Sequence, residues 1–487
     1  MGTIQIQHLS FQYPGATQPL FTDLSTNFDS HWKLGLIGRN GRGKTTFLNL
    51  LRGQLTGTGT ITAPVTFNYF PAEDIDPTLT VMQLMTATGA ADWQATIELT
   101  KIGLPPAWAT RQFGSLSGGE QTKVLLARGF VDDTAFPLID EPTNHLDLAG
   151  RTVVGQYLRH KRGFICISHD EHFLNLFVDH VMDITPDRVH IVAGTVAAWR
   201  ADKAHQDQAA TAKNAQLITD IHHLTRRANT QRGWSERRER ETHDAGSRRS
   251  AAKLMRRAKV FEQRTADRIA ERQGLLADLE PTTPLTTNAT PGQGHRLLLS
   301  ARQFSLLRAA VPLFDPLEID FHQGEQLAIL GPNGSGKTSL IASLLGHTSL
   351  EHTGYLQNDL PANVGYLAQD FHHVIRDVDW SELKANHQLT TVWNLMHQLG
   401  VSRSRLRAPA SEWSMGEAKK AALALTLCRP HDLLVWDEPT NYLDLPARDQ
   451  LATLVQTVRP TLLMIDHDAQ FVTTTCPHQL TLTPYQH

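Results

Sequence analysis

Two eight-residue stretches decide how this chain folds, GRNGRGKT at residues 38–45 and GPNGSGKT at residues 331–338. Each stretch follows a short apolar run typical of a buried strand, at residues 34–37 and 327–330, and each precedes a helix-like run. Glycines here let backbone N–H groups turn inward around an anion, and the following helix points its positive end at the same place. The pattern therefore predicts two phosphate-binding loops, each between a strand and a helix.

Both loops predict contacts to a nucleotide and its metal ion. The loop lysines Lys44 and Lys337 are expected to reach the β- and γ-phosphates, and the hydroxyls of Thr45 and Thr338 to bind Mg²⁺. A single match is a modest signal, but two matches in register indicate real nucleotide sites. The residues predicted to line the phosphates are Gly38, Asn40, Gly41, Gly43, Lys44, Thr45 and Thr46 in the first loop and Gly331, Asn333, Gly334, Gly336, Lys337, Thr338 and Ser339 in the second.

Further motifs repeat at a nearly constant distance along the chain. LIDEPTN at residues 138–144 returns as LVWDEPTN at 434–441, and SHD at 168–170 returns as DHD at 466–468. The loop lysines, the aspartates before the glutamates and the histidines of the two copies lie 293, 297 and 298 residues apart. Three motifs with nearly one offset indicate a duplicated domain.

The duplication predicts an α/β fold with two P-loop nucleotide-binding domains, at residues 1–195 and 291–487. Residues 196–290 have no counterpart. From residue 200 to 280 the chain carries 18 Lys or Arg against 12 Asp or Glu, although its overall charge is −3. Apolar residues recur there every three or four positions, which predicts a helical hairpin with its tip near residues 242–250.

Basic residues are concentrated near the predicted tip of this hairpin. Eleven basic and four acidic residues lie between positions 226 and 257. Such helices are often only solvated surface, but an excess of this size is better explained by neutralisation of RNA phosphates. The residues predicted to contact RNA are Arg237, Arg238, Arg240, Arg248, Arg249, Lys253, Arg256 and Arg257.

The second pair of motifs supplies the predicted chemistry. Asp140 and Asp437 each end an apolar run, so they close a buried strand where a carboxylate can hold Mg²⁺. Glu141 and Glu438 follow and are expected to polarise an attacking water. An acidic pair can also cap a helix, but the Pro-Thr-Asn after both pairs argues against that reading. The histidines that close a further strand in each copy, and that are predicted to contact the γ-phosphate, are His169 and His467.

A serine-glycine motif precedes a helical run in each copy, LSGGEQ at residues 116–121 and WSMGE at 413–417. A helix that opens in this way presents an anion-binding N-terminus. The residues predicted to bind nucleotide here are Ser117, Gly118, Gly119, Glu120, Ser414, Gly416 and Glu417.

The order of these motifs resembles that of ABC-type ATPases. In that family two domains face each other head to tail, and each ATP lies between the phosphate loop of one domain and the signature serine of the other. The DEPTNHLD motif and the basic insert make the chain resemble the ABC-F group in particular. Within that group, its motif sequences are similar to those of Lsa-type antibiotic-resistance factors. Because one chain carries both copies, the resemblance implies a monomer without an obligate partner subunit.

The resemblance also implies a function. ABC-F proteins are soluble cytoplasmic ATPases that use ATP and Mg²⁺. It implies that the closed form binds the ribosome, that the hairpin enters beside the tRNAs near the peptidyl transferase centre, and that hydrolysis releases the protein. In resistance members this displaces drugs. A housekeeping ABC-F translation factor, the ATPase subunit of a transporter and a DNA-repair or chromosome ATPase remain the alternatives.

Some positions depart from the family pattern. Ala72 stands where a metal-side glutamine is expected in the first copy, whereas Gln369 is present in the second and is predicted to contact the metal. Tyr13 is predicted to stack on adenine, and an ungapped alignment puts Leu306 at its place in the second copy. We therefore expect the two sites to differ in hydrolysis and in base stacking.

Composition excludes several other classes of protein. The three cysteines form no CxxC pair, which argues against a zinc ribbon, a redox dithiol or a disulfide scaffold. No run approaches 18 apolar residues, so no membrane-spanning helix is predicted. The N-terminus lacks the features of a signal peptide. These observations predict a soluble protein of a reducing compartment.

Overall fold

A computed structural model describes residues 2–16, 19–72, 75–132, 134–144, 146–185, 188–240, 284–285, 294–371, 375–376, 378, 380–406 and 408–485. The chain divides into two compact units. One contains Met1–Ala197 together with Thr282–His487, and the other is Ala198–Pro281. The first unit holds both copies of the duplicated motifs, so contacts between the copies are contacts within one compact body.

The first copy is built on two sheets. Its strands are β1 (Thr3–Phe11), β2 (Phe21–Asp29), β3 (Lys33–Ile37), β4 (Thr58–Thr62), β5 (Thr66–Phe70), β6 (Ala135–Asp140), β7 (Phe164–Ile167), β8 (His180–Ile184) and β9 (Val189–Ala193). An antiparallel sheet has the order β2-β1-β4, and a larger sheet the order β5-β6-β7-β3-β8-β9. In the larger sheet all neighbours are parallel except β8 and β9.

Helices connect the parallel strands. They are α1 (Lys44–Leu51), α2 (Val81–Thr86), α3 (Asp92–Lys101), α4 (Gly118–Gly129), α5 (Leu148–Arg159) and α6 (Glu171–Asn175). Because β3, β6 and β7 are parallel neighbours, their carboxyl ends meet at one edge of the sheet. That edge carries the phosphate loop, the Asp-Glu pair and the histidine, and ligands bind at such edges in open α/β sheets.

A long helix follows the first copy. Helix α7 (Val196–Arg240) is 45 residues long and begins where the sequence predicts the helical insert. The helical character of the insert is confirmed for this segment. The predicted tip and the return arm lie outside the described residues. Among the described residues, no helix is both long and apolar enough to cross a membrane.

The second copy repeats the architecture. Its strands are β10 (Leu297–Arg308), β11 (Val311–Pro312), β12 (Leu317–His322), β13 (Gln326–Leu330), β14 (His352–Asn358), β15 (Val364–Leu367), β16 (Leu433–Asp437), β17 (Leu462–Ile465) and β18 (His478–Thr481). The parallel sheet has the order β15-β16-β17-β13-β18, and β10 pairs with β11, β12 and β14.

Its helices are α8 (Lys337–Leu344), α9 (Trp380–Ala385), α10 (Gln388–Gln398), α11 (Arg403–Leu406), α12 (Met415–Leu427), α13 (Leu445–Val458) and α14 (Ala469–Thr475). The predicted α/β class with two P-loop domains and a helical insert is confirmed.

Aromatic cores hold the two sheets of each copy together. Phe21, Phe28 and Phe47 are buried between the sheets of the first copy, and Phe304 and Phe321 between those of the second. Burial of one such side chain stabilises the fold by about 1.5–3 kcal/mol. The phosphate loops are therefore carried on rigid strands, and their geometry is set by the core.

Candidate nucleotide-binding and hydrolysis sites

The first phosphate loop, in what we call the first site, is a turn that requires glycine. Gly38, Gly41 and Gly43 have φ values of 144°, 79° and 86°. A Cβ atom on Gly43 would lie 2.7 Å from the ring of Phe21. The Lys44 Nζ folds back over the loop and donates to the carbonyl of Gly38 at 2.7 Å. The loop thus encloses a space in which the ammonium group and the inward N–H groups face the position of a phosphate chain.

The second phosphate loop, in the second site, has the same geometry. Gly331, Gly334 and Gly336 have φ values of 148°, 81° and 87°. The Lys337 Nζ donates to the carbonyls of Gly331 and Pro332, both at 2.9 Å. The match in φ and in lysine position shows that the two loops are built alike.

Each site places a threonine hydroxyl beside the aspartate at the end of the central strand. In the first site the Thr45 hydroxyl donates to Oδ2 of Asp140 at 2.6 Å. In the second, Thr338 lies near Asp437, but neither buried carboxylate oxygen has a partner at hydrogen-bond geometry among the described residues. Burial raises the pKa of Asp437 to about 6. A buried carboxylate without partners, next to a hydroxyl, fits the oxygen ligands that Mg²⁺ prefers.

The glutamates after these aspartates have an unusual backbone. Glu141 and Glu438 have φ of 50° and 52°, a left-handed conformation that costs about 1–3 kcal/mol for a non-glycine residue. The turn aims each carboxylate at a histidine. His169 Nε2 lies 3.3 Å from Glu141 Oε1, and His467 Nε2 lies 3.6 Å from Glu438 Oε1. The structure therefore brings each predicted catalytic pair together.

Burial dominates the electrostatics of these pairs. It raises the pKa of both glutamate carboxyls, with the adjacent aspartate as the second cause, and that of Glu438 to about 7. It lowers the pKa of His169 well below its usual range and that of His467 to about 3. Both imidazoles are therefore neutral near pH 7, with one ring nitrogen available to donate and the other to accept a hydrogen bond.

The two sites differ beside the central strand. In the second site the Gln369 side chain lies near the Glu438 carboxylate and favours its ionised form, against the larger rise in pKa caused by burial. In the first, Ala72 has no such side chain, but the Tyr69 hydroxyl donates to Asp140 Oδ2 at 3.1 Å. The role of Tyr69 is missed by sequence reasoning, although a tyrosine on the strand next to β6 is a readable signal.

Tyr13 lies against the first phosphate loop. Its hydroxyl is 2.8 Å from Oγ1 of Thr46, and its ring meets Phe11 edge to face with centroids 4.9 Å apart. The side chain remains 43% exposed. A ring held at one edge and open on its face can stack on a base.

The expectation that Leu306 takes the place of that tyrosine is wrong. The N–H of Leu313 donates to the carbonyl of Leu306 at 2.9 Å, as the N–H of Leu20 donates to that of Phe11 at 2.8 Å. Leu306 is also completely buried. It is therefore the counterpart of Phe11, and the connection that follows is two residues shorter in the second copy. The exposed residue two positions further on is Arg308.

Each signature serine begins a helix and is held by a glutamate. The N–H of Ser117 donates to Glu120 Oε2 and that of Ser414 to Glu417 Oε2, both at 2.8 Å. Each serine therefore lies at the positive end of its helix, α4 or α12, where an anion is favoured. Gly118 and Gly119 lie in the first turn of α4, and Gly416 in that of α12.

The two copies contact each other head to tail. The Asn40 N–H donates to Asp444 Oδ2 at 2.9 Å, and the Asn333 N–H donates to Asp147 Oδ2 at 3.1 Å. A Cβ atom on Gly416 would lie 2.4 Å from Nδ2 of Asn40. The first phosphate loop therefore meets the second signature motif, and each phosphate loop meets the aspartate that follows the DEPTN motif of the other copy.

A buried ion pair supports one of these contacts. The Lys420 Nζ lies 2.9 Å from Asp444 Oδ2, and both side chains are almost fully buried. Burial alone would raise the pKa of Asp444, but Lys420 and the Asn40 N–H outweigh it and hold that pKa well below its usual range. These contacts are missed by sequence reasoning, because Asn40 lies 404 residues from Asp444 and no motif links Lys420 to Asp444, 24 residues further on.

The predicted RNA-binding residues fall into two groups. Arg237, Arg238 and Arg240 belong to the last turn of α7, which ends at Arg240. The others lie outside the described residues, namely Arg248, Arg249, Lys253, Arg256 and Arg257.

Known proteins share both the motifs and the fold. The family described as ABC transporter matches residues 21–144 and 314–441. The chain is 30% identical to the ribosome protection protein VmlR of Bacillus subtilis, over 97% of this chain and 85% of VmlR. It is 26% identical to the ATP-binding protein Uup of Caulobacter vibrioides, over 93% of this chain and 73% of Uup. It is 25% identical to the probable ATP-binding protein YbiT of Escherichia coli O157:H7, over 96% and 94% of the two chains.

Two solved structures have the same architecture. The archaeal ribosome recycling factor aABCE1, solved with the ribosomal stalk protein aP1, aligns with a TM-score of 0.60 and 18% identity over 97% of this chain and 87% of that one. The RNase-L Inhibitor aligns with a TM-score of 0.59 and 17% identity over 98% and 90%. At these identities the likeness is one of fold.

Proposed function

Because this chain belongs to the ABC-F family of tandem ABC ATPases, we propose that it is an ATP-driven ribosome-binding factor that protects the peptidyl transferase centre against antibiotics. One observation supports the ATP-driven part most directly. Each phosphate loop is contacted by the other copy, through Asn40 with Asp444 and Asn333 with Asp147. A nucleotide in either loop therefore lies at the junction of the copies, where its phosphates favour the closed arrangement.

In each site, different groups of the chain perform different parts of ATP binding and hydrolysis. The loop lysine and the N–H groups hold the phosphates, and Glu141 or Glu438 accepts a proton from the attacking water. The neutral imidazole of His169 or His467 donates a hydrogen bond toward the γ-phosphate. Thr45 with Asp140, and Thr338 with Asp437, would hold Mg²⁺. When bound, that ion neutralises charge that develops between the β- and γ-phosphates.

The ribosomal part of the proposal is supported by similarity and by charge. The ribosome protection protein VmlR is similar to this chain over 97% of the chain's length. In the proposed cycle the ATP-bound, closed form binds the ribosome and the basic hairpin enters beside the tRNAs near the peptidyl transferase centre. Hydrolysis reopens the two copies and releases the protein.

A trapped variant tests this cycle. Changing both Glu141 and Glu438 to Gln keeps the shape of each site but removes the proton acceptor, so ATP stays bound and turnover stops. We expect steady-state ATPase activity to fall at least 100-fold and co-sedimentation with ribosomes to become ATP-dependent and long-lived. Wild-type ATPase activity in the double variant would overturn the assignment of the glutamates.

Drug susceptibility tests the protective role. Cells with and without the gene are compared on lincosamides, pleuromutilins and streptogramin A compounds. Higher tolerance with the wild-type gene, and none with the double Glu-to-Gln variant, supports protection. Unchanged tolerance together with slower growth of the deletion strain would indicate a housekeeping translation factor. Recovery of a membrane permease instead of ribosomes in a pull-down would indicate a transporter subunit.

The hairpin is tested by salt dependence. Each lost phosphate contact should reduce the slope of log affinity against log salt by about one unit or less. We expect the variant in which Arg248, Arg249, Arg256 and Arg257 are all Ala to bind ribosomes more weakly and with a shallower slope, in the trapped background. Lys213→Ala, on the exposed surface of α7, is the matched control. Equal slopes in all three proteins would make the hairpin a spacer.

A further inference from the structure

One arginine of the first copy hydrogen-bonds to the second copy. Arg151 lies in the first turn of α5, and its side chain is only 10% exposed. Its Nε donates to the carbonyl of Leu146 at 3.1 Å and its Nη2 to that of Thr143 at 3.3 Å. Its Nη1 donates to Asp170 Oδ2 at 2.9 Å and to the main-chain carbonyl of His467 at 3.1 Å. The guanidinium therefore makes four hydrogen bonds, and one of their partners belongs to the other copy.

The partners in the first copy are the two segments that flank its hydrolytic pair. Thr143 and Leu146 lie between Glu141 and helix α5, and Asp170 directly follows His169. Any change in these segments on nucleotide binding or hydrolysis must move the guanidinium. The group is planar, with its donors in a rigid fork, so it cannot follow one segment and leave its other bonds unchanged.

The partner in the second copy is the histidine of the second site. The ring of His467 points at Glu438, with Nε2 3.6 Å from Oε1. A bond to its main-chain carbonyl acts on the position of the backbone that carries the ring. The contact thus joins the hydrolytic loops of the first site to the hydrolytic pair of the second.

No equivalent hydrogen bond runs from the second copy to the first among the described residues. Arg448 is the counterpart of Arg151 in the second copy and is equally buried. It donates to the carbonyl of Leu443 at 3.0 Å and to Asp468 Oδ2 at 2.8 Å. Within the part of the chain that the structure describes, its hydrogen-bond partners all lie in its own copy. Among the described residues, the hydrogen bonds of these arginines thus join the first site's loops to the second site's histidine, whereas Arg448 acts on Glu141 and His169 of the first site through its charge.

We infer that Arg151 is a positioning residue that makes hydrolysis in the second site depend on nucleotide in the first. With nucleotide in the first site, its loops hold the guanidinium where it supports the His467 backbone. Without nucleotide, the guanidinium loses its fixed position and the second site loses that support. The inference rests on the proposed role of the glutamates, because the test uses Glu141→Gln to confine ATP turnover to the second site.

The test measures the second site alone. All proteins carry Glu141→Gln, so that turnover comes from the second site, and they are compared with and without Lys44→Met, which empties the first. The ratio of turnover with the first site filled to that with it empty is the coupling. We expect a ratio of roughly tenfold with Arg151, in the range common for coupled sites, and a ratio near one with Arg151→Met.

Controls separate coupling from damage to the fold. Arg448→Met removes an equally buried arginine that holds Leu443 and Asp468 of the second site, so it should lower both turnover rates but leave their ratio near tenfold. Arg151→Lys keeps the charge opposite Asp170 but loses the fork, and should lower the ratio. Asp170→Asn, which removes the charge opposite the guanidinium and leaves residue 170 almost unchanged in size, should also lower the ratio and provides a reading if Arg151→Met does not fold. An unchanged ratio in Arg151→Met and in Asp170→Asn, with wild-type melting temperatures, would overturn the inference.

The proposed function fails differently. If Glu141 and Glu438 do not activate water, the protein with both changed to Gln still turns over at the wild-type rate. That result is independent of any ratio between filled and empty states. The proposed function and the coupling through Arg151 can therefore be disproved independently.

Discussion

Two hydroxyl groups donate to the same carboxylate oxygen of Asp140, one from Thr45 and one from Tyr69. Both bonds lower the pKa of this carboxyl, against a larger rise caused by burial. If Thr45 turns its oxygen toward a metal ion, Tyr69 is the group that continues to hold the carboxylate. In the first site Tyr69 therefore supports the aspartate on the side where Ala72 offers no glutamine.

We expect Tyr69→Phe to weaken Mg²⁺ binding at the first site. Loss of one hydrogen bond to a charged group is worth about 1.5–3 kcal/mol, or roughly 10- to 100-fold in the apparent Mg²⁺ affinity. The measurement is a Mg²⁺ titration of ATPase activity in the Glu438→Gln background, which reports on the first site. Tyr366→Phe, at the matching position of the second copy, should leave that titration unchanged. An identical titration in both variants would contradict the role given to Tyr69.

The position of Leu306 leads to a second prediction. Its side chain is completely buried in the core beneath the second nucleotide site. Leu306→Tyr should therefore not restore stacking on a base but should destabilise the second copy, by about 1–3 kcal/mol, because a larger side chain with a hydroxyl must be accommodated. Arg308→Tyr, at the exposed counterpart of Tyr13, should leave the melting temperature unchanged. Thermal unfolding of both variants decides between the two placements.

At the scale of elements, the Lys420–Asp444 pair connects α12 to the beginning of α13. Asp444 caps α13 by accepting the N–H of Ala447 at 3.2 Å while it accepts the N–H of Asn40 from the other copy. One carboxylate therefore holds a helix end, a helix side and a phosphate loop. Removing one member of a buried pair costs about 3–5 kcal/mol, since the other charge is left without a partner.

We expect Asp444→Asn to destabilise the protein in a manner that depends on pH. The pKa of Asp444 is lower in the folded state than in the unfolded state. The stability contributed by the ionised carboxyl is thus fully present above about pH 4 and is lost as the pH falls further. Urea unfolding should show a large difference between wild type and variant near pH 7 that shrinks toward pH 3. The exposed Asp432→Asn is the control, and a pH-independent difference would contradict the ion pair.

At the scale of the whole molecule, local signals and distant contacts were predictable to different degrees. The phosphate loops, the Asp-Glu pairs and the helical insert were predictable because each is encoded by neighbouring residues. The contacts of Arg151 with His467 and of Lys420 with Asp444 were not, because periodicity and motifs say nothing about which side chains meet across a fold. The prediction for Leu306 was wrong for a related reason. The turn that follows it is two residues shorter than the corresponding turn of the first copy, and an ungapped alignment cannot represent that difference.

The head-to-tail contacts join two halves of one polypeptide, so each half meets its partner at an effective concentration that dilution cannot change. Association of the halves is unimolecular, and turnover per molecule should be constant over a hundredfold range of protein concentration. Cutting the chain within the segment between the copies would make the same encounter bimolecular, and activity would then fall on dilution. An activity that rises with concentration in the intact chain would indicate that the halves pair between molecules instead.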